Sequence, residues 1–274
     1  QRGTDRPERQ PTPAKVVRRL MEAQRKKQIF RGLVVVTTLA LLTTLIMGLQ
    51  WATYARLPLP DSLAALENDG LVTITTEPWL TFTPTENPDS TGLIFYPGGR
   101  IDPRGYSSIM REIAEAGHLV VVPAFPFNMA VFDANEADEI IVYYPEIEHW
   151  VIAGHSVGGT MAAQYADENR DVVDGMMIWA SYPAPNIKLA DSNLPIVVIY
   201  GSEDPAANDI QINESKSLLP AKTQYVKIEG GDHHQFGSYI IEPDEHHALI
   251  SKEAQHNQII STTLELFRSI LTNP

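Results

Sequence analysis

The chain has 274 residues, of which 43% are hydrophobic and 20% are charged, and it contains no cysteine. This composition is typical of a globular protein, and the lack of cysteine excludes a disulfide scaffold, a cysteine metal site and a cysteine nucleophile. The net charge of −13 divides into +7 for residues 1–31 and −20 for the remainder. Because nucleic-acid binding requires a basic surface, we expect no nucleic-acid partner for the acidic part.

An uncharged segment, residues 32–55, follows the basic N-terminal residues. About 20 apolar residues in a helix cross a hydrocarbon core of about 30 Å, so the segment is long enough to span a bilayer. Trp51 and Tyr54 lie at its end, where aromatic rings favour the headgroup level, and Lys and Arg precede it, as on a cytoplasmic side. A signal peptide and a buried core helix are the alternatives, but a signal core has only about 7–15 residues.

The predicted organisation is that of a single-pass protein of the cell membrane. We expect a basic cytoplasmic arm at residues 1–31, a lipid-embedded helix at residues 32–55, a connector at residues 56–70 and an extracytoplasmic domain at residues 71–274. The lipid bilayer is then one partner of the chain, through residues 32–55.

Short apolar segments rich in β-formers alternate with helical patterns beyond the connector. The predicted strands are residues 71–76, 79–83, 92–96, 119–122, 150–153, 176–180, 196–200 and 224–228, and the clearest predicted helices are residues 107–116, 157–168 and 253–271. The middle strands are almost continuously hydrophobic, which is typical of parallel strands covered on both faces. No helix separates the first two strands, so we expect them to be antiparallel. The predicted fold is α/β, a doubly wound, mostly parallel eight-stranded sheet preceded by one transmembrane helix.

The sequence Gly154-His155-Ser156-Val157-Gly158 joins the fifth predicted strand to a predicted helix. A serine between a strand and a helix is the nucleophile in the G-x-S-x-G pattern, because a strained turn exposes its Oγ. Gly154 and Gly158 leave room where a Cβ would meet neighbouring backbone. The helix N-terminus favours the negative charge that develops during nucleophilic attack. Ser156 is therefore the candidate nucleophile.

A nucleophilic serine needs a base, and the base needs an orienting carboxylate, in the chain order serine, acid, histidine. Asp204 follows the seventh predicted strand and is the candidate acid, with Glu203 as the alternative. His233 follows the eighth strand and is the candidate base, with His234 as the alternative.

The oxyanion of the reaction needs backbone N–H donors. Val157, which follows the nucleophile, is one candidate. Gly98 and Gly99 follow the third predicted strand and are candidates for the second donor, since glycines let backbone approach a substrate carbonyl closely.

Four segments resemble a bacterial branch of the α/β-hydrolase superfamily: FYPGGRIDPRGY (95–106), AGHSVGG (153–159), IYGSEDPAA (199–207) and EGGDHHQFGSY (229–239). The resemblance covers roughly residues 71–272 and is closest to small, lidless members related to dienelactone hydrolases and carboxylesterases. A motif similar to GG-[ND]-H-x-Q-F-G in that branch implies that His233 is the base. Dienelactone hydrolases carry a cysteine nucleophile, whereas this chain has Ser156, which favours ester chemistry.

These features predict a membrane-anchored serine hydrolase that cleaves a carboxylic ester or a related small-molecule acyl substrate through an acyl-enzyme, a carboxylesterase-like activity. The predicted enzyme needs no cofactor and no metal. The alternative is an accessory or scaffold subunit of a membrane complex that retains a hydrolase fold, because fold alone does not imply function.

Two weaker features have ordinary explanations. His246 and His247 stand among acidic residues but lack the spacing of a known metal site. Aromatic residues near strand ends are candidates for an acyl pocket or, equally, for the core: Tyr96, Phe125, Phe127, Trp179 and Tyr182.

Overall fold

The protein is described by a computed structural model that covers residues 12–272. The parts of the sequence predictions that concern residues 1–11, 273 and 274 lie outside the described residues. The chain divides after Thr53 into two compact units.

Within residues 12–53, the first unit contains one helix, α1 (Pro13–Thr53). The basic residues from position 13 onward and the apolar segment thus belong to the same helix. Its most apolar window has a mean hydropathy of 2.2 and no buried residue, so α1 is long and apolar enough to cross a membrane, as a signal sequence also would be. Three threonine hydroxyls donate to carbonyls four residues earlier, at 2.9–3.0 Å, which satisfies them inside the helix: Thr43, Thr44 and Thr53.

The second unit is built on one eight-stranded sheet. The strands are β1 (Val72–Thr75), β2 (Leu80–Pro84), β3 (Thr91–Tyr96), β4 (Leu119–Val122), β5 (His149–His155), β6 (Gly175–Trp179), β7 (Ile196–Gly201) and β8 (Gln224–Ile228). They lie in the order β1-β2-β4-β3-β5-β6-β7-β8. The β1–β2 and β2–β4 pairs are antiparallel and all the others are parallel. The predicted mostly parallel sheet and its antiparallel first pair are confirmed.

Helices cover both faces of the sheet, as its fully buried middle strands require. The helices of this unit are α2 (Pro60–Ala64), α3 (Ser107–Glu115), α4 (Glu136–Tyr143), α5 (Val157–Glu168), α6 (Asp209–Ser215) and α7 (Lys252–Thr272). One buried apolar cluster joins α3 and α7 to the sheet, and a second joins α4, α5 and α6 to its other face. The predicted helices correspond to α3, α5 and α7.

Residues 56–70, predicted as a connector, lie within the second compact unit. Arg56 forms an isolated bridge with Ile101, and Pro58 forms one with Tyr239. The Arg56 guanidinium donates two bonds of 2.6 Å to the Glu245 carboxylate. These contacts fix the start of the unit against its loops.

Because the strands are parallel, the loops that follow their carboxyl ends lie at the same end of the sheet. Tyr96, the last residue of β3, pairs with Gly154 near the end of β5. Gly201 at the end of β7 pairs with Ile228 at the end of β8. The carboxyl edge of an open α/β sheet is where such folds build their sites.

Candidate active site

Ser156 lies on a strained turn between β5 and α5. Its φ of 53° and ψ of −123° are sparsely populated for a residue with a side chain. A Cβ on Gly154 would lie 2.4 Å from the carbonyl oxygen of Gly158, and a Cβ on Gly158 would lie 2.1 Å from the carbonyl oxygen of Tyr96. The two glycines are therefore required by close backbone packing, which holds the serine above the sheet.

Backbone contacts fix the Ser156 turn while its hydroxyl stays accessible. The Ser156 N–H donates to the Trp179 carbonyl at 3.0 Å, and the Ser181 hydroxyl donates to the Ser156 carbonyl at 2.6 Å. The Ser156 Oγ has no hydrogen-bond partner among residues 12–272. It opens onto a pocket of about 180 Å³, which is lined by Ser156, Val157, Thr160, Ala180, Ser181, Tyr182, Ala206 and His233.

The structure brings His233 and Asp204 together beside that pocket. The His233 Nδ1 lies 2.8 Å from the Asp204 Oδ2, and the Asp204 side chain is fully buried. The other carboxylate oxygen, Oδ1, accepts the N–H groups of Ala206 and Ala207 at 2.7 and 2.8 Å. With one oxygen held by the loop, the second is aimed at the imidazole and orients it.

The two alternative residues make other contacts. The Glu203 carboxylate accepts a bond of 2.9 Å from the Ser202 hydroxyl. The His234 Nδ1 lies 3.3 Å from the Tyr239 hydroxyl, and burial together with the neighbouring His233 lowers the pKa of His234. Neither residue enters the His233–Asp204 pair.

Asp232 organises the loop that carries His233, a role that the sequence analysis missed. Its buried carboxylate accepts four backbone N–H groups at 2.8–3.0 Å, those of His234, Gln235, His247 and Ala248. The carboxylate therefore ties residues 234–235 to residues 247–248 beside His233.

The structure distinguishes the predicted oxyanion donors. The Gly98 N–H donates to the Tyr106 hydroxyl at 2.9 Å, so it is already engaged. The N–H groups of Gly99 and Val157 have no acceptor among the described residues, and the Val157 N–H is the first of α5, where no intrahelical acceptor exists. A Cβ on Gly99 would lie 3.5 Å from the Val157 side chain, so the two backbones are neighbours.

His155, the residue before the nucleophile, connects the Gly98 loop to the loop that carries His233. The Tyr106 hydroxyl, which accepts from Gly98, lies 2.8 Å from the His155 Nδ1, and the His155 Nε2 lies 3.0 Å from the His233 carbonyl. We assign the proton to Nε2, because that carbonyl can only accept. Complete burial lowers the pKa of His155 well below its usual value and keeps the ring neutral.

The acidic and histidine-rich loop near residue 245 forms an ion pair with Arg56 at the start of the unit. The Arg56 guanidinium is the main cause that lowers the pKa of Glu245 to about 2. No group of three or more His, Cys, Asp or Glu side chains within residues 12–272 is arranged to hold a metal ion.

A larger pocket of about 450 Å³ lies at the opposite edge of the sheet, beside the first residues of β7 and β8. Its titratable lining residues are His149, Asp174 and Lys222, and the His149 Nδ1 lies 3.4 Å from the Asp174 Oδ1. It contains none of the predicted site residues, so the smaller pocket is the candidate active site.

Comparison with known proteins identifies the family and the fold. A model of the alpha/beta hydrolase family matches residues 92–257. A search of curated protein sequences gives no significant match.

Several solved structures share the fold at low sequence identity. TT1662 from Thermus thermophilus is 14% identical with a TM-score of 0.55, over 74% of this chain and 99% of its own. Est1E from Butyrivibrio proteoclasticus with bound ferulic acid is 13% identical with a TM-score of 0.52, over 74% of this chain and 98% of its own. One of LipS and LipT, two metagenome-derived lipolytic enzymes, is 14% identical with a TM-score of 0.50, over 66% of this chain and 95% of its own. The chain belongs to the alpha/beta hydrolase family and is a hydrolase.

Proposed function

We propose that the protein is a membrane-anchored serine hydrolase that cleaves carboxylic esters through an acyl-enzyme. The observation that carries this proposal is the shared pocket of Ser156 and His233, with Asp204 bonded to the imidazole at 2.8 Å. A strained serine, an oriented histidine and a buried carboxylate are the three parts that acyl transfer needs.

The proposed reaction has two halves. His233 takes the proton of the Ser156 hydroxyl as Oγ attacks the ester carbonyl carbon. The tetrahedral intermediate then releases the alcohol, which receives that proton, and an acyl-serine remains. Water, deprotonated by His233, attacks the acyl-serine and releases the acid, and the proton returns to Ser156. Asp204 holds the imidazole in the required tautomer and stabilises its transient positive charge.

The N–H groups of Val157 and Gly99 are the proposed oxyanion donors. Both belong to backbone that is fixed before substrate binds, so they stabilise the oxyanion without reorganisation. Because the Gly98 N–H already donates to the Tyr106 hydroxyl, the proposed role of Gly98 is to support the loop instead.

Ester substrates are favoured over other acyl compounds by the serine nucleophile and by the fold neighbours. Est1E was solved with ferulic acid bound, and the LipS and LipT enzymes are described as lipolytic. The small-molecule ester is accordingly the proposed substrate.

The proposed location follows from α1. We infer that α1 crosses the cell membrane once, with the basic N-terminal residues in the cytoplasm and the second unit outside. The uncharged segment and its flanking basic residues support this orientation.

A direct test measures turnover and traps the intermediate. The full chain in mild detergent is assayed with p-nitrophenyl acyl esters, and acid-quenched protein is analysed by peptide mass spectrometry. We expect an acyl adduct on Ser156, and a fall in kcat/KM of at least about 10³-fold in Ser156→Ala. Ser261→Ala, an exposed serine on α7, is the matched control and should keep parental activity.

Unchanged hydrolysis by Ser156→Ala would contradict the proposed mechanism. A folded parent without turnover that copurifies stoichiometrically with another membrane protein would favour the accessory-subunit alternative.

A further inference from the structure

A cluster of exposed apolar side chains lies in the loop after β4. Phe127, Val131 and Phe132 are 52%, 52% and 60% exposed, and the two phenylalanine rings meet edge to face with centroids 5.4 Å apart. Scattered exposed apolar residues are ordinary, but three within six positions form a contiguous patch, here called the Phe127–Phe132 patch.

The backbone presents this patch at a conformational cost. Phe127 and Asn128 have φ values of 55° and 53°, in the left-handed region; asparagine tolerates this conformation, but a bulky residue such as phenylalanine rarely adopts it. The Asn128 carbonyl accepts a bond of 2.7 Å from the Arg100 N–H. Strain of this kind persists only where surrounding contacts impose it, and it accumulates at functional surfaces.

The patch borders the proposed oxyanion loop without lining the pocket. A Cβ on Gly99 would lie 3.0 Å from the Met129 sulfur, so the two loops are in contact. None of Phe127, Val131 and Phe132 lines the pocket of Ser156 and His233. The patch therefore flanks the approach to the site.

The same oxyanion loop is bound to the residues that follow the anchor. The Arg56 N–H donates to the Arg100 carbonyl at 2.7 Å, and the Asp102 N–H donates to the Arg56 carbonyl at 3.1 Å. The Arg100 guanidinium lies 4.8 Å from the centre of the Tyr54 ring.

Only Tyr54 and Ala55 separate Arg56 from Thr53, the last residue of α1. Three residues reach at most about 10 Å in any conformation. With α1 in a bilayer, Trp51 and Tyr54 belong at the headgroup level, so the oxyanion loop stays close to the bilayer surface.

We propose that the Phe127–Phe132 patch inserts into the surface of the bilayer that holds α1, and that the site consequently takes amphiphilic esters dissolved in that bilayer. The bilayer contact rests on the proposed membrane crossing of α1, and the substrate half rests on the proposed hydrolase function. The chain after α1 has a net charge of −20, so attraction to anionic headgroups does not drive the contact. The contact is apolar and depends on the short tether.

The absence of cysteine from the sequence allows a direct test of insertion. Phe132→Cys in the full chain carries one nitroxide label, in phosphatidylcholine nanodiscs that hold one copy each. Val142→Cys is the matched control, because Val142 is 80% exposed on α4, outside the patch. We expect the label at 132 to collide with oxygen and to be shielded from a water-soluble nickel chelate. The label at 142 should be accessible to the nickel chelate and collide less with oxygen. Equal nickel accessibility at both positions would overturn the insertion.

The substrate class is tested with two esters of the same chromogenic alcohol, one short-chain and soluble, the other long-chain and dissolved in the nanodisc. The double variant Phe127→Ser with Phe132→Ser should lose at least ten-fold in rate on the bilayer ester and stay within two-fold of the parent on the soluble ester. Val142→Ser should leave both rates unchanged. An equal fall on both esters, or no fall, would overturn the proposal.

Failure of the proposed function has a different signature. A parent that hydrolyses neither ester refutes the hydrolase mechanism and with it the substrate class, whereas the nitroxide measurement still decides the bilayer contact. A parent that cleaves only the soluble ester leaves the hydrolase intact and overturns the substrate class.

Discussion

Asp204→Asn tests the orienting role of the buried carboxylate, and the structure determines which way the new amide points. Asp204 Oδ1 accepts the N–H groups of Ala206 and Ala207. Only the amide oxygen of asparagine can replace it there, so the NH₂ group must face the His233 Nδ1. That nitrogen then becomes an acceptor, and the proton moves to the nitrogen that should accept from Ser156.

The expected loss is large in rate and small in stability. A triad held in the wrong tautomer loses about 10⁴-fold in kcat, which corresponds to about 5.4 kcal/mol of transition-state stabilisation. Because the amide keeps both backbone bonds, the free energy of unfolding should change by less than about 1 kcal/mol. By contrast, Asp204→Ala leaves two donors unsatisfied, at about 1–3 kcal/mol each.

The assay compares kcat/KM on a soluble ester with urea unfolding of the same preparations. Glu203→Gln is the matched control, since glutamine can keep the bond from Ser202, and it should retain activity within about two-fold. A fall in kcat/KM of less than ten-fold in Asp204→Asn would refute this account of the acid. A fall in Glu203→Gln that exceeds the fall in Asp204→Asn would also refute it.

Two further predictions concern stability. Tyr106→Phe removes the hydroxyl that is shared by the Gly98 N–H and the His155 Nδ1. The free energy of unfolding, measured in urea, should therefore fall by about 2–4 kcal/mol. A fall below about 0.5 kcal/mol would contradict the stabilising role of the shared hydroxyl. Glu245→Gln weakens the bonds from Arg56 and should cost about 1 kcal/mol at neutral pH. Because the folded-state pKa of Glu245 is about 2 against an ordinary 4.5, this difference should narrow as pH falls from about 4.5 towards 2, and a difference that is constant over that range would contradict the pairing.

Much of the fold could be predicted because its signals are local. The β3 segment is buried at all six positions, and its last four residues, 93–96, are all apolar, which indicates this burial directly. The helix α5 was predicted with its observed bounds because Gly158 and the nucleophile pattern mark its start. In α4 only Ala137 and Ile140 are buried, so its eight residues gave no clear helical periodicity and the helix was missed.

The site was predictable to the level of residue type and chain order. Choosing between neighbours depends on side-chain direction, which one sequence does not contain: Asp204 and Glu203 are adjacent, yet only Asp204 faces His233. The strands and turn residues of the nucleophile region carried recognisable patterns.

The supporting network was beyond the sequence for a different reason. The Gly98–Tyr106–His155 chain ends on the His233 carbonyl, and it joins loops that are far apart in sequence. Contacts of that range leave no periodic pattern. The only local hint was the position of His155 beside the nucleophile.

The central claim is that Ser156 is made nucleophilic by His233. Fluorophosphonate labelling of the full chain in detergent tests this most directly, because the reagent reacts with an activated serine. We predict labelling of the parent and of His234→Ala, and no labelling of Ser156→Ala or His233→Ala. Labelling that survives His233→Ala but is lost in His234→Ala would contradict the assignment of the base, and a folded parent that does not label would contradict the claim itself.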